Sequence, residues 1–179
     1  MKEAVLIKIF AYSDIEETEK QALLLEVIGN GKSDMIDKLK LACEASLPSI
    51  ESKQRVWDKI IDTENELSTH QRTTYMAHFF KRDEFCPMFR DKYIEEVLKM
   101  ADYEDTEFAI NFIATTAPIA CATDDLVEKL KMQTSVSKLL DTNSHPIENS
   151  SRISYIRIVT QITEVIERSL KVKQFTSQK

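Results

Sequence analysis

LACEASLPSIESKQRVWDKIIDTENELSTHQR, residues 41–72, is the stretch that decides the fold. Pro48 lacks a backbone N–H and restricts the residue before it, so a helix entering this stretch should end near Ala45 and a new helix should begin beyond Pro48. Further on, Ser68 is followed three residues later by Gln71, which predicts a capping box at the start of another helix. The stretch therefore predicts three successive helices that meet at a helix-turn-helix corner.

The helix after Pro48 has a broad apolar stripe at helical spacing. Its members are Ile50, Val56, Trp57, Ile60 and Ile61. Trp57 is predicted to be a core anchor, whereas the charged residues of this helix, Lys53 among them, are predicted to lie mostly away from the core. In an earlier helix Lys20 lies one turn after Glu16, and this pair is predicted to face solvent.

Apolar periodicity and capping residues predict helices along the rest of the chain as well. They cover residues 2–11, 15–28, 34 to about 45, 87 to about 101, 104–116, 123–133 and about 152–173. Residues 141–151, DTNSHPIENSS, are polar and rich in helix breakers, so they are predicted to form a surface loop. No run alternates with a period of two, and no strand is predicted.

Helix pairs restart near residues 33, 68 and 104, a spacing of about 35 residues that lies within the range of helical-repeat proteins. The signature of tetratricopeptide repeats is absent. We therefore expect an all-α protein with one domain over residues 1–179, in which irregular HEAT-like hairpins stack into a curved solenoid layer.

Composition excludes several classes of function. The net charge of -6 and the pI near 5.2 argue against a sequence-independent grip on nucleic acid or on an anionic membrane. The two glycines, Gly29 and Gly31, lie in one turn, so no glycine-rich phosphate loop is present. Apolar runs are far shorter than the roughly 20 residues of a membrane span, and the amino-terminal residues do not resemble a secretion signal. A cytoplasmic protein is expected.

Three cysteines, Cys43, Cys86 and Cys121, are an odd number at spacings typical of neither a disulfide framework nor a metal knuckle. We expect each to be a small buried hydrophobe in a reducing compartment. The histidines are His70, His78 and His145. His70 and His78 are about two helical turns apart, too far to hold one metal ion unaided, so a metal site or an independent enzyme built on them is a weak hypothesis. No catalytic constellation is recognised.

The corner resembles the C-terminal helical domain of zinc-dependent aminopeptidases of the alanyl aminopeptidase (aminopeptidase N) family. The matching residues are Ala42, Ala45, Pro48, Lys53, Trp57, Leu67, Ser68, Gln71 and Arg72. Near the end of the chain, Arg157 and the IERSL of residues 166–170 are similar to the family's closing helix. The match is firm over residues 14–72, and beyond them it depends mainly on the order of the helices.

The resemblance implies a parent enzyme that removes N-terminal residues from peptides with one zinc ion. The family's zinc and exopeptidase motifs are absent from this chain, so the chain alone is expected to be non-catalytic and free of cofactor. Its expected partners are the catalytic domain of the same polypeptide and, in the parent enzyme, the peptide substrate, whose cavity the helical domain covers. Gln71, Arg72 and Tyr75 are the candidate residues, either lining that cavity or holding a helix junction.

A helix that begins almost at the first residue suggests a C-terminal fragment of a longer protein. The alternative is a free-standing helical-repeat scaffold that binds a protein partner on its concave side. The fragment hypothesis predicts an exposed apolar patch where the catalytic domain docked, with Val5, Leu6, Ile9 and Phe10 as its candidates.

Overall fold

Nine α-helices occupy most of the part of the chain that the computed structural model describes, residues 2–29, 31–81, 85–102, 105–141 and 146–176. No residue in these ranges belongs to a strand, and the predicted all-α class is confirmed. The helices are α1 (Lys2–Tyr12), α2 (Glu17–Ile28), α3 (Asp34–Ser46), α4 (Ile50–Ile61), α5 (Thr69–Phe79), α6 (Cys86–Lys99), α7 (Thr106–Thr115), α8 (Asp124–Asp141) and α9 (Pro146–Thr176).

Local chemistry sets several of the helix ends. The Ser33 hydroxyl accepts a hydrogen bond from the Ile36 amide at the start of α3. At the start of α4 the Ser49 hydroxyl accepts one from the Ser52 amide. At the start of α5 the predicted capping box between Ser68 and Gln71 is present. Helix α2 ends at Gly29, whose φ of 54° is a left-handed conformation that glycine adopts without steric cost.

The predicted loop over residues 141–151 is wrong in part. Helix α8 continues to Asp141 and α9 already begins at Pro146, while residues 142–145 lie outside the described residues. Pro146 counts as a helix breaker in that prediction. Proline is, however, well suited to the first position of a helix, where its missing N–H has no intrahelical partner to lose.

By the packing of its helices the chain divides into two compact units, Met1–Phe85 and Cys86–Lys179, where a single domain is predicted from the sequence. Unit 1 contains α1 to α5. One of its buried clusters joins Leu6, Phe10, Leu24, Leu39, Cys43 and Leu47. Leu6 and Phe10 are therefore core residues, and the prediction that they form an exposed docking patch is wrong, although Val5 of the same helix is exposed.

A second buried region of unit 1 surrounds the corner. Trp57 is buried as predicted, with its ring centroid 5.4 Å from that of Phe79. Ile50, which the sequence placed on the apolar stripe, is instead exposed. It is the first residue of α4, more than one turn before the buried part of the stripe begins at Val56 and Trp57.

Unit 2 contains α6 to α9 and has its own aromatic core. The rings of Tyr93 and Phe112 stack with centroids 5.7 Å apart. The Tyr93 hydroxyl donates to the Ile113 carbonyl at 2.8 Å, and the Tyr155 hydroxyl donates to the Val97 carbonyl at 2.9 Å. Each bond ties one helix of the unit to the backbone of another.

All three cysteines are buried, but they are not all separate thiols. Cys86 and Cys121 form a disulfide in unit 2, so the prediction of three independent buried hydrophobes holds only for Cys43. The spacing of 35 residues gave no indication of this pair, because only the packing of α6 against the segment after α7 brings the two Cα atoms to 5.4 Å.

None of the helices in the described ranges is both long enough and apolar enough to cross a bilayer.

Candidate functional site

The corner of unit 1 contains two buried cations, Lys53 and Arg72, with side chains 3% and 6% exposed. Each reaches from the start of its own helix to the end of another, where the last carbonyl groups have no partner within the helix. We call these two side chains, together with the backbone carbonyls that they bind, the cation junction. It connects α3, α4 and α5.

Lys53 binds the ends of two helices. Its ammonium donates to the Ala45 carbonyl in the last turn of α3 at 2.5 Å and to the Phe79 carbonyl at the end of α5. The same nitrogen lies 4.8 Å from the centre of the Phe79 ring, within the range of a cation–π contact. Burial, together with repulsion from Lys81, lowers the pKa of Lys53 to about 7.

Arg72 binds the end of α4. One terminal nitrogen donates to the carbonyls of Ile60 at 2.9 Å and Asp62 at 2.6 Å, and the other donates to the Asn65 side-chain oxygen at 3.1 Å. Asn65 in turn donates to the Lys59 carbonyl at 2.8 Å. The planar guanidinium suits this arrangement, because its donors can reach several fixed acceptors at once.

A polar rim adjoins the junction. The Tyr75 hydroxyl donates to one Glu44 oxygen at 2.5 Å, and Lys59 and Arg55 donate to the other at 2.9 and 3.3 Å. Burial raises the pKa of Glu44, but the hydrogen bonds from Tyr75 and Lys59 outweigh it, and the net pKa is lowered. Burial and the bond to Glu44 both raise the pKa of Tyr75.

The three candidate residues therefore occupy neighbouring but different positions. Gln71 closes the capping box, because its side-chain oxygen accepts from the Ser68 amide at 2.9 Å. Arg72 is buried in the cation junction, and Tyr75 connects α5 to Glu44 of α3 while its ring is buried. The exposed part of this region is formed by Arg55, whose side chain is 51% exposed.

Sequence reasoning missed Lys53 and Lys20 as interior residues. Lys20 is also 3% exposed, and its ammonium donates to the carbonyls of Phe10 at 3.3 Å and Ser13 at 2.8 Å, around the end of α1. Lys20 is predicted to face solvent because it pairs with Glu16 one turn earlier, and Lys53 because it lies off the apolar stripe of its helix. The signal that could have found them is the set of unpaired carbonyls that each helix end must satisfy within a buried corner.

The two histidines that the structure describes lie near opposite ends of α5. His70 is exposed at the start of α5, His78 is half-buried near its end, and His145 lies outside the described residues. Burial, followed by the nearby charges of Lys81 and Lys53, lowers the pKa of His78. Among the described residues no group of three His, Cys, Asp or Glu side chains is placed to hold a metal ion.

Unit 1 also contains an open apolar cavity of about 300 Å³ between α1, α3 and α5. Ile7, Leu39 and Ala77 are among its lining residues, with Met35, 60% exposed, and His78 also among them. A volume of this size is at the lower end of small-ligand pockets. It could accept one apolar side chain of a partner.

Comparisons of the chain with protein-family models, with curated proteins and with solved structures found no significant match.

Proposed function

We propose that the chain is the non-catalytic C-terminal helical domain of a zinc aminopeptidase of the alanyl aminopeptidase family, in which HEAT-like hairpins cover the active site and line the substrate cavity. The zinc ion, its ligands and the exopeptidase motif would belong to the catalytic domain of the same polypeptide. The protein would act in the cytoplasm on peptides, without binding nucleic acid or a membrane.

One observation supports this proposal above the others. Most of the residues by which the corner resembles the family lie in or beside the cation junction: Ala45 accepts from Lys53, Trp57 packs on Phe79, and Arg72 holds the end of α4. Ser68 and Gln71 fix the start of the helix that contains Arg72. The matched residues therefore belong to one structural unit, which is what a shared helical corner would require.

The first experiment is to sequence the source transcript upstream of the Met1 codon. We expect an open frame that continues into a His-Glu-x-x-His motif, since the catalytic domain must precede this one. An in-frame stop codon directly upstream would overturn the proposal.

The second experiment measures the selection of peptides by the longer protein. Arg55→Ala is the test variant because its side chain is half exposed at the rim, and Arg168→Ala in α9 is the matched control because its side chain is 75% exposed. We expect Arg55→Ala to change the ratio of kcat/KM between long and short peptides, and Arg168→Ala to leave it unchanged. Equal ratios in the two variants would argue that this rim does not face the substrate.

The apolar cavity favours a second function, that of a helical scaffold that binds a protein partner. On that hypothesis Ala77→Trp, which fills the cavity beside Leu39, should abolish binding of a partner helix without loss of helical content. The upstream sequence separates the two functions, because the scaffold requires no catalytic domain.

A further inference from the structure

The disulfide of unit 2 fastens a very short element. Cys121 is the last residue of a three-residue 3-10 turn, Ile119–Cys121, which we call the 119–121 turn, and Cys86 is the first residue of α6. The turn lies between α7 and α8 and is too short to be stable through its own hydrogen bonds. Its position therefore depends on bonds to other elements.

Those other bonds come from α9. The Ser169 hydroxyl donates to the Ile119 carbonyl at 3.4 Å, and the Lys173 ammonium donates to the Ala120 carbonyl. With the disulfide, the turn is thus held by α6 on one side and by the last turns of α9 on the other. A change at the disulfide would be transmitted to the end of α9 through this turn.

Reduction of the disulfide would not remove the core of unit 2. Reduction leaves two small thiols with no buried charge, and Tyr93, Phe112 and Leu130 are almost fully buried in a core to which the disulfide adds only two small side chains. A unit of this length does not need a covalent staple in order to fold. Both redox states are therefore compatible with one fold.

The two sulfurs also differ in their surroundings. Cys121 is 8% exposed and Cys86 is 3% exposed, so both are buried and a thiolate reaches the bond through local opening of unit 2. Cys86 begins a helix of 14 residues, and the partial positive charge at a helix N-terminus stabilises a departing thiolate. This position favours attack at Cys121 with departure of Cys86.

From these contacts we propose that Cys86 and Cys121 form a reversible redox latch, which exchanges with low-molecular-weight thiols and holds the 119–121 turn against α9 when oxidised. A thiolate attacks the Cys121 sulfur, forms a mixed disulfide there and releases the Cys86 thiolate. A second thiolate displaces Cys121, so two external thiols become one external disulfide, and the protein thiolates each take up one proton. Oxidised glutathione closes the latch by the reverse steps.

The test uses the full chain in glutathione buffers. We expect two alkylatable thiols to appear on reduction and to disappear again on oxidation, while Cys43 remains a free thiol in both states. Reduction should lower the thermal midpoint by roughly 10 °C, as expected for loss of a disulfide that closes a loop of this size. Hydrogen exchange should become about tenfold faster in the 119–121 turn and the last turns of α9, with α3 to α5 unchanged.

Mass analysis of the first adduct tests the direction of exchange. When the oxidised chain is treated with glutathione and the released thiol is alkylated at once, glutathione should be attached to Cys121 and the alkyl group to Cys86. The matched control, Cys43→Ser, should keep the full redox response, whereas the double variant Cys86→Ser with Cys121→Ser should lose it.

Three outcomes would overturn the proposal. If glutathione cannot reduce the native protein, the bond is a permanent structural disulfide. If the reduced chain unfolds, the bond is essential to the fold and cannot act as a latch. If exchange in α9 is the same in both redox states, the turn does not connect the disulfide to that helix.

Discussion

Unit 1 and unit 2 have similar helical content but hold their helix ends with different chemistry. In unit 1 the ammonium and guanidinium groups of Lys20, Lys53 and Arg72 donate to carbonyls at the ends of α1, α3, α4 and α5. In unit 2 neutral hydroxyls from Tyr93 and Tyr155 donate to buried carbonyls, and a disulfide joins α6 to the 119–121 turn. The ammonium of Lys173 also donates to a carbonyl of that turn, but this lysine is only part-buried.

The difference has physical consequences. A cation interacts favourably with the negative end of a helix, but it loses its hydration when it is buried, so its protonation depends on its surroundings. A tyrosine hydroxyl satisfies a carbonyl without introducing charge, and burial raises the pKa of Tyr93, which stays neutral. Unit 1 should therefore respond to pH near neutrality, and unit 2 should respond to reducing agents instead.

The largest effect should come from Arg72→Met. The substitution removes the donors to the buried Ile60 carbonyl and the part-buried Asp62 carbonyl, and the loss of both bonds should destabilise unit 1 by about 3 kcal/mol. Urea denaturation followed by circular dichroism measures the change. The control is Arg168→Met in unit 2, whose exposed pair with Glu164 should be worth less than about 0.5 kcal/mol. Similar losses in the two variants would remove the distinction between buried and exposed cations.

The pH dependence of Lys53 is the second test. Its folded pKa of about 7 lies below the unfolded value of 10.5, so between these values the unfolded state binds more protons and stability rises with pH. From pH 7 to pH 9 the gain from this group should be about 2 kcal/mol. Below pH 7 both states are protonated, and the contribution is constant.

Lys53→Met should abolish this gain. The free energy of unfolding, measured in urea at pH 7 and pH 9, should then rise by about 2 kcal/mol less in the variant than in the wild type. Lys40→Met is the control, since it makes the same substitution at a lysine of unit 1 whose side chain is half exposed. A variant with the wild-type pH dependence would show that Lys53 is not the group that titrates.

For unit 2 the matching substitutions are Tyr93→Phe and Tyr155→Phe. Each removes one hydroxyl that donates to a buried carbonyl, and each should cost about 1 kcal/mol. The loss from Tyr93→Phe should be the same at pH 7 and pH 9, because burial raises the pKa of Tyr93 and its hydroxyl keeps its proton. Tyr12→Phe, at an exposed position, should have no measurable effect. A pH-dependent loss would contradict the contrast between the two units.

The contrast also shows what the sequence could predict. The capping box at Ser68, the burial of Trp57 and the all-α class follow from patterns that are local in the chain. The interior positions of Lys20 and Lys53 do not, because helical periodicity assigns a charged residue to the solvent side regardless of which backbone groups are nearby. The disulfide depends on packing between segments 35 residues apart, which no spacing rule describes.

For the candidate site, too, the sequence indicates some of the residues but not their partners. Arg72 and Gln71 are candidates because they are polar residues at a predicted helix start, where an arginine can pair with a carboxylate, and both lie at the corner. Glu44, which connects Tyr75, Lys59 and Arg55, was not singled out. It lies far from Tyr75 in sequence, and a lone glutamate on a helix gives no signal of its partners.

The smallest effect should come from Glu44→Gln at the rim. The folded pKa of Glu44 is lowered, so its stabilisation is present above the unfolded value of 4.5 and is lost as the pH falls through the folded value. The glutamine retains an acceptor for Tyr75 but loses the charge that attracts Lys59 and Arg55. We expect a loss of about 0.5 kcal/mol at pH 6, which disappears in acid.

Urea denaturation at pH 6 and pH 3 measures this difference, and Glu164→Gln in α9 is the control because its pair with Arg168 is exposed. If Glu44→Gln costs no more than Glu164→Gln, the rim contributes little to stability. Its half-exposed charges would then be available for contacts outside unit 1, which is what a surface facing a substrate cavity requires. A larger loss would instead mean that Glu44 acts with Lys53 and Arg72 in holding α3, α4 and α5 together.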